Sequence, residues 1–352
     1  MKRIVISGYY GFGNIGDEAV LSGVCATLKQ LGVDAEITAL SADPARTIRE
    51  HPGVNAVKRF GLAGIAAAMR RADLVISGGG SLFQDTTSAR SPYYYLTVLR
   101  LAQIMRRKTM VYAQGVGPLV RPRIRGGVAK AFNRADAITV RDADSKALLR
   151  EIGVTREVHV SADPSFLVKP DLEAADTIIP EAGLAERPLV GISLRTWPGY
   201  NDWIEAAARE LVKLCEDLGA TAAFIPMQEP EDAGVTHGGI VLRHGGDPRV
   251  AKGLISRCEM VVGMRLHSLI FAAGSGVGFV PVVYDPKVSS FAAETGQSAG
   301  VAVGDPDSGA LADAVKKTWT SRQEMAGALS EQAAEFTKLA LASGELAAKL
   351  LG

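Results

Sequence analysis

Two doubly wound, Rossmann-like α/β domains with an interdomain cleft are the fold this sequence predicts, on three observations. Short β-branched runs alternate with longer amphipathic stretches along most of the chain. The short runs are apolar throughout instead of alternating with polar residues, as strands buried on both faces of a parallel sheet are. The length of 352 residues is about twice that of a common domain of roughly 150 residues.

Taken in order, the first half places strands at Arg3–Ser7, Ala35–Ala39, Leu74–Ser77, Thr109–Ala113, Ala137–Val140 and His159–Ser161, with helices between most of them. Strand and helix in turn make one doubly wound unit. Between Val168 and Pro188 three prolines and the polar stretch Lys169-Pro170-Asp171-Leu172-Glu173 predict a surface linker. The alternation restarts at Leu189–Ser193 and continues at Thr221–Ile225, Ile240–Arg243, Met260–Val262 and Phe279–Val283. An Ala-rich helical stretch from Ala310 onward reads as packing. The expected division is a first domain at 1–175, a second at 185–320 and a helical tail at 321–352.

Composition excludes several function classes. Lys+Arg 39 against Asp+Glu 38 leaves a formal charge of +1, which gives no broad field for gripping nucleic acid. With 47% hydrophobic and 22% charged residues the chain can bury a core, so disorder is set aside. Cys25, Cys215 and Cys258 are far apart and form no CxxC pair, which argues against a disulfide framework or a zinc site. The apolar run after Met1-Lys2-Arg3 is too short for a secretory leader, and no stretch reaches the roughly 18 apolar residues of a membrane span. A reduced, cytoplasmic protein is expected.

Candidate chemistry lies in the loops after the strands, because open α/β sheets bind ligands at their strand carboxyl ends. Gly11, Gly13 and Gly16 match GxGxxG after the first strand, but Asp17 and Glu18 in the following helical turn would repel a dinucleotide pyrophosphate. NAD is therefore disfavoured. Asn14, Asp17 and Glu18 read either as turn and cap residues or as partners for sugar hydroxyls. Gly78-Gly79-Gly80 leaves backbone N–H groups able to approach a ligand, with Gln84 following and Gln114 after the next strand. Asp142 and Asp144 make a DxD beside Ser145, where a helix cap, at Asp144 or Ser145, is a stronger reading than a metal.

The most informative stretch is Val261-Val262-Gly263-Met264-Arg265-Leu266-His267-Ser268. It predicts a buried strand, a glycine turn and an apolar helix with cations in its first turn, where the helix dipole favours anions. A bound phosphate or carboxylate explains that choice, held by Arg265 as a fork and by His267 as a donor. Arg141, Arg195 and Lys287, each just after a predicted strand, can join them. GxSxG, HExxH, the Walker loop and the EF-hand loop are absent.

Gly-Asn-Ile-Gly-Asp-Glu-Ala at 13–19, Gly-Gly-Gly-Ser-Leu-Phe-Gln-Asp at 78–85, Gln-Gly-Val-Gly-Pro at 114–118, Val-Arg-Asp at 140–142 and Met-Arg-Leu-His at 264–267 together resemble the polysaccharide pyruvyl transferase family, in particular its bacterial CsaB type. The resemblance spans nearly the whole chain. It implies a GT-B-like fold with the acceptor on the first domain and phosphoenolpyruvate on the second. It further implies transfer of the enolpyruvyl group, as a ketal, to an N-acetylmannosamine-type sugar of a lipid-linked disaccharide, for a secondary cell wall polymer that anchors S-layer proteins. Arg141, His267 and Lys287 carry over as donor ligands, with Arg195 and Arg265 added on physical grounds. His267 and Arg265 are the catalytic candidates. The acceptor candidates are Asn14, Asp17, Glu18, Gly79, Gly80, Gln84 and Gln114. No cofactor and no metal are expected, and a GT-B glycosyltransferase using a sugar nucleotide is the alternative. A lipid-linked acceptor would bring the enzyme to the inner membrane face. The segment Phe60–Arg71 and Arg100, Arg106, Arg107 and Lys108 add apolar and basic surface to the first domain. Arg121, Arg123 and Arg125, read as a loop, are the expected membrane contact.

Overall fold

The structure, a computed structural model, describes residues 1–86, 90–184, 187–229, 231–232, 234–307 and 309–352. The chain divides into two units, Met1–Leu167 with Phe336–Gly352, and Val168–Glu335. Residue 185, the expected start of the second domain, lies outside the described residues.

The first unit runs β1 (Lys2–Tyr10), α1 (Ile15–Gln30), β2 (Ala35–Ser41), α2 (Pro44–Glu50), β3 (Val54–Lys58), α3 (Leu62–Arg71), β4 (Leu74–Ser77), β5 (Gly80–Phe83), α4 (Arg90–Ile104), β6 (Lys108–Val116), α5 (Pro122–Phe132), β7 (Ala137–Val140), α6 (Ala143–Glu151), β8 (His159–Val160) and a 3₁₀ turn at Pro164–Leu167. Its sheet is parallel in the order β3-β2-β1-β4-β6-β7-β8, with β5 paired to β6. Ile4, Ile6, Leu74, Ile76 and Met110 fill the core with 0% exposure, which is why those strands read as unbroken apolar runs. Strands β3 and β5 were not expected. The former is half-exposed and polar at Asn55 and Lys58, and the latter sits inside the glycine loop, so neither carries an apolar run.

The second unit comprises α7 (Leu172–Glu181), β9 (Leu189–Ser193), α8 (Asn201–Asp217), β10 (Thr221–Phe224), β11 (Ile240–Val241), α9 (Pro248–Ser256), β12 (Met260–Gly263), α10 (Leu266–Ala273), β13 (Gly278–Val283), α11 (Pro286–Glu294), β14 (Val301–Ala302) and most of α12 (Ala310–Leu351). Its parallel sheet has the order β11-β10-β9-β12-β13-β14. In both sheets the strand order therefore reverses beside the first strand, at β1/β4 and at β9/β12. Ligands of doubly wound sheets bind outside the carboxyl ends at such switch points.

Two expectations are corrected here. The expected linker contains a helix: Asp171 caps α7 by accepting from the Ala174 amide at 3.0 Å, and Glu173 sits favourably in its first turn. The expected tail is no separate element, since α12 from Phe336 onward belongs to the first unit. There Phe336 stacks on Phe166 with centroids 4.9 Å apart, Ala347 and Leu351 enter the core, and Ser343 Oγ bonds Thr139 Oγ1 at 2.9 Å. Apolar residues at helical spacing do not reveal which core they enter. No helix among the described residues is long and apolar enough to cross a membrane.

Candidate active site

On the first unit the β1–α1 loop turns at Gly11 and Gly13, whose φ values of 77° and 74° are open to glycine and strained for other residues. Asn14 caps α1, its side-chain oxygen accepting from the Gly16 amide at 3.0 Å. Glu18, expected at sugar hydroxyls, is instead fully buried. One of its oxygens accepts from the Gly11 amide at 2.8 Å and the other meets His51 Nε2 at 2.9 Å. His51 Nδ1 in turn lies 3.2 Å from Ser22 Oγ. With both oxygens engaged inside the protein, Glu18 holds the loop and has none left for an acceptor. Asp17, half-buried, lies beside Gly80, where a Cβ would stand 3.0 Å from its Oδ1.

The glycine run is also used internally. A Cβ on Gly78 would lie 2.2 Å from the Tyr10 hydroxyl, and one on Gly79 would lie 3.0 Å from Val20. The Gly78 amide donates to the Ser7 carbonyl at 2.8 Å. The expectation that these glycines leave amides open to a ligand is thus corrected at Gly78, which makes room for a phenol. Burial pushes that Tyr10 phenol well above its ordinary range, and the neighbouring Asp17 charge adds to the effect. Gln114 is buried too: its Nε2 donates to the Gly80 carbonyl at 2.5 Å and ties β5 to β6. Gln84, half-buried, accepts from the Thr86 amide at 3.1 Å and from its hydroxyl at 2.9 Å.

Arg141 emerges from β7 and lies flat over Gly115, where a Cβ would meet its guanidinium at 2.7 Å. It donates to Asp163 at 3.2 Å and to Ser81 Oγ at 2.9 Å. Asp163, the polar residue of the small-residue loop Ser161-Ala162-Asp163-Pro164, is buried, and nothing in the sequence pairs it with Arg141, 22 residues away. Asp142 caps α6 through the Ser145 amide at 2.7 Å, so the cap lies two or three residues earlier than the expected Asp144 or Ser145 and accounts for half of the DxD.

On the second unit, β9, β12 and β13 lie side by side: Ser193 and Gly263, which close the first two, pair with each other, and Gly263 pairs with Pro281 of β13. Arg195, His267 and Lys287 therefore follow three adjacent parallel strands at one sheet edge. Arg195 lies 5.3 Å from the Trp197 ring and 5.8 Å from the Tyr284 ring. The two rings meet edge to face at 4.7 Å, and Lys287 Nζ is 5.6 Å from Tyr284 while pairing with Asp285 at 3.3 Å. Strands β9 and β13, one on each side of β12, bring together residues that the sequence separates by about ninety positions, so the direct contact of Trp197 with Tyr284 is visible only in the structure. His267 occupies the first turn of α10 and is half-buried. The N-cap position of that helix is Arg265, whose side chain offers the turn no acceptor.

Arg265 is a buried residue with a partner of its own. Its Nη2 donates to Asp232 Oδ1 at 2.6 Å and its Nε to Oδ2 at 3.0 Å, with Glu231 at 3.6 Å. Asp232, 3% exposed, also accepts from the Met227 and Gln228 amides at 3.1 and 2.9 Å. The expectation of an open guanidinium fork for an anion is corrected, because its two best-placed donors already bind a carboxylate. Asp232 left no sequence signal, being one acid in an exposed-looking Gln-Glu-Pro-Glu-Asp run.

The expected membrane-facing loop at Arg121, Arg123 and Arg125 is the start of α5. Arg121 is tied to Asp85, and Arg125 to Glu151, while Arg123 is exposed.

The family model of polysaccharide pyruvyl transferase matches residues 14–286. The amylovoran biosynthesis protein AmsJ of Erwinia amylovora is 21% identical, over 81% of this chain and 84% of its own. Among solved structures, Anabaena HepE in complex with UDP and glucose is 14% identical with a TM-score of 0.64, covering 100% of this chain and 99% of that one. Sucrose-phosphate synthase from Thermosynechococcus elongatus is 13% identical with a TM-score of 0.63, covering 99% of each chain. At such identities these structures speak for the fold alone, two Rossmann-like domains of the GT-B class.

Proposed function

The chain belongs to the polysaccharide pyruvyl transferase family, an enzyme family of pyruvyl transfer onto polysaccharide, and from that premise we propose that its donor is phosphoenolpyruvate. The acceptor in this reading is an N-acetylmannosamine-type sugar of a lipid-linked disaccharide, destined for a secondary cell wall polymer that anchors S-layer proteins. The observation that carries the donor assignment is the row Arg195, His267 and Lys287 after three adjacent strands. Phosphoenolpyruvate brings a phosphate and a carboxylate together, and a nearly neutral protein needs local cations to hold both.

Chemically, a proton adds to the methylene carbon and one sugar hydroxyl attacks the adjacent carbon. A second hydroxyl then displaces inorganic phosphate, closing the ketal and leaving a methyl group. The two hydroxyl protons balance the methyl and the phosphate. His267 is proposed to donate a proton, either to the carbon or to the departing phosphate oxygen. Lys287 and Arg195 hold the anions, and the amides of the first turn of α10 face developing negative charge. Arg265, pinned by Asp232, positions that turn. Arg141 is kept as a candidate anion ligand on the first unit, and Asn14, Asp17 and Gln84 as acceptor candidates. Protein cations can neutralise the leaving phosphate, so no metal is required. The lipid-linked acceptor implies work at the inner membrane face.

Product formation from phosphoenolpyruvate and a synthetic disaccharide acceptor tests the proposal, with turnover persisting in EDTA. The second reading, a GT-B glycosyltransferase using a sugar nucleotide, gains from the Trp197–Tyr284 pair, whose rings could flank a base. Calorimetric titration separates the two, since tight UDP binding with none of phosphoenolpyruvate would overturn the proposal.

A further inference from the structure

At the amino-terminal edge of the first sheet, opposite the loops discussed above, four cations surround one depression. Arg106 and Arg107 come from the turn between α4 and β6, Lys108 from the first position of β6, and Arg134 from the turn between α5 and β7. With Gln103, Ile104 and Asp136 they line a cavity of ≈ 420 Å³, within the range of about 300–1,000 Å³ that small-ligand sites occupy.

Four cations there face a single carboxylate, that of Asp136. Among the described residues none of the four cations lies within ion-pair distance of a carboxylate. Arg107 is held by carbonyls instead, donating to Met105 O at 3.0 Å and Ala72 O at 3.4 Å, and Lys108 Nζ donates to Leu350 O at 2.7 Å. The one acid in the lining, Asp136, is engaged by the backbone, accepting from the Thr109 amide at 2.7 Å. Arg106 sits at φ 55° in the left-handed turn that ends α4, where the Arg106 and Arg107 amides donate to the Gln103 and Ala102 carbonyls at 3.0 and 2.9 Å, and this turn places both side chains at the depression. Four like charges gathered around one carboxylate repel, and a multiply charged anion relieves them.

We infer that this pocket binds a ligand bearing two or more phosphoryl charges, of diphosphate or mononucleotide size, at a site separate from the transfer chemistry. Both ends of β6 mark that separation, because Lys108 opens the strand and Val116 closes it beside the glycine loop. The inference does not rest on the transferase reading.

Isothermal titration with inorganic pyrophosphate at low salt tests it, comparing the full chain with an Arg106→Gln/Arg134→Gln variant. Both residues are exposed and serve no carbonyl or core contact among the described residues, and circular dichroism checks that the variant is folded. Pyrophosphate binding that survives in Lys287→Ala and weakens at least tenfold in the double variant is expected, with affinity falling as salt rises. Equal affinity in wild type and double variant would overturn the inference. So would sedimentation with phosphatidylglycerol vesicles that depends on the two arginines while pyrophosphate does not bind, since the face would then be a lipid contact.

Discussion

Asp232 grips Arg265 through both of its oxygens, at 2.6 and 3.0 Å, in a buried pair that joins the β10–β11 connection to the first turn of α10. The same carboxylate accepts the Met227 and Gln228 amides, so one acid orders two loops at the carboxyl edge of the second sheet. The cation that precedes His267 is thereby fixed in direction without being offered to solvent.

Breaking that pair from either side leaves a buried charge alone. Arg265→Ala and Asp232→Ala are each expected to destabilise the protein by about 3–5 kcal/mol. Together they should cost less than the sum, with a coupling of at least about 1 kcal/mol in denaturant unfolding. Additive costs would show that the two residues act independently.

Removing the imidazole tests the proposed acid. His267→Ala is expected to lower turnover with phosphoenolpyruvate by about 10²–10⁴ while the protein stays folded, and Lys287→Ala to act chiefly by raising KM for the donor. Turnover near that of the wild type in His267→Ala would take this residue out of the mechanism.

The glycine run offers a packing test. Gly78→Ala drives a methyl group against the Tyr10 hydroxyl and is expected to cost about 1–3 kcal/mol by overpacking. Tyr10→Phe in the same chain deletes the obstructing oxygen, which has no hydrogen-bond partner among the described residues, and should restore part of the loss. A melting temperature for the pair no higher than for Gly78→Ala alone would refute this account of the glycine.

Burial pushes the Cys215 and Cys258 thiols up to about 12, so at pH 8 almost none of either is thiolate. A disulfide reagent at that pH should leave both unmodified in the native protein and count all three cysteines in guanidinium. Fast modification of Cys258 in native protein would contradict its burial.

Strands β4, β7 and β9 have the limits read from the sequence, because an apolar run bounded by turn residues is a local property. The motif loops were legible for the same reason: a glycine at positive φ or a helix cap is decided within a few residues. Reading a loop did not reveal what its residues face. Glu18 and Gln114 carry polar groups suited to a sugar, and both point inward.

The sequence by itself determined the alternating α/β pattern, the two sheets and the loops that close their strands, since these follow from local apolar periodicity and turn chemistry. Only the tertiary structure decided which charges are compensated. Arg265 meets Asp232, Arg141 meets Asp163 and Glu18 meets His51, whereas Arg106 and Arg134 meet no acid among the described residues. Each of those partners is many residues away along the chain. Their meeting depends on strand order and register, which bring distant loops to one sheet edge and leave no trace in either loop alone.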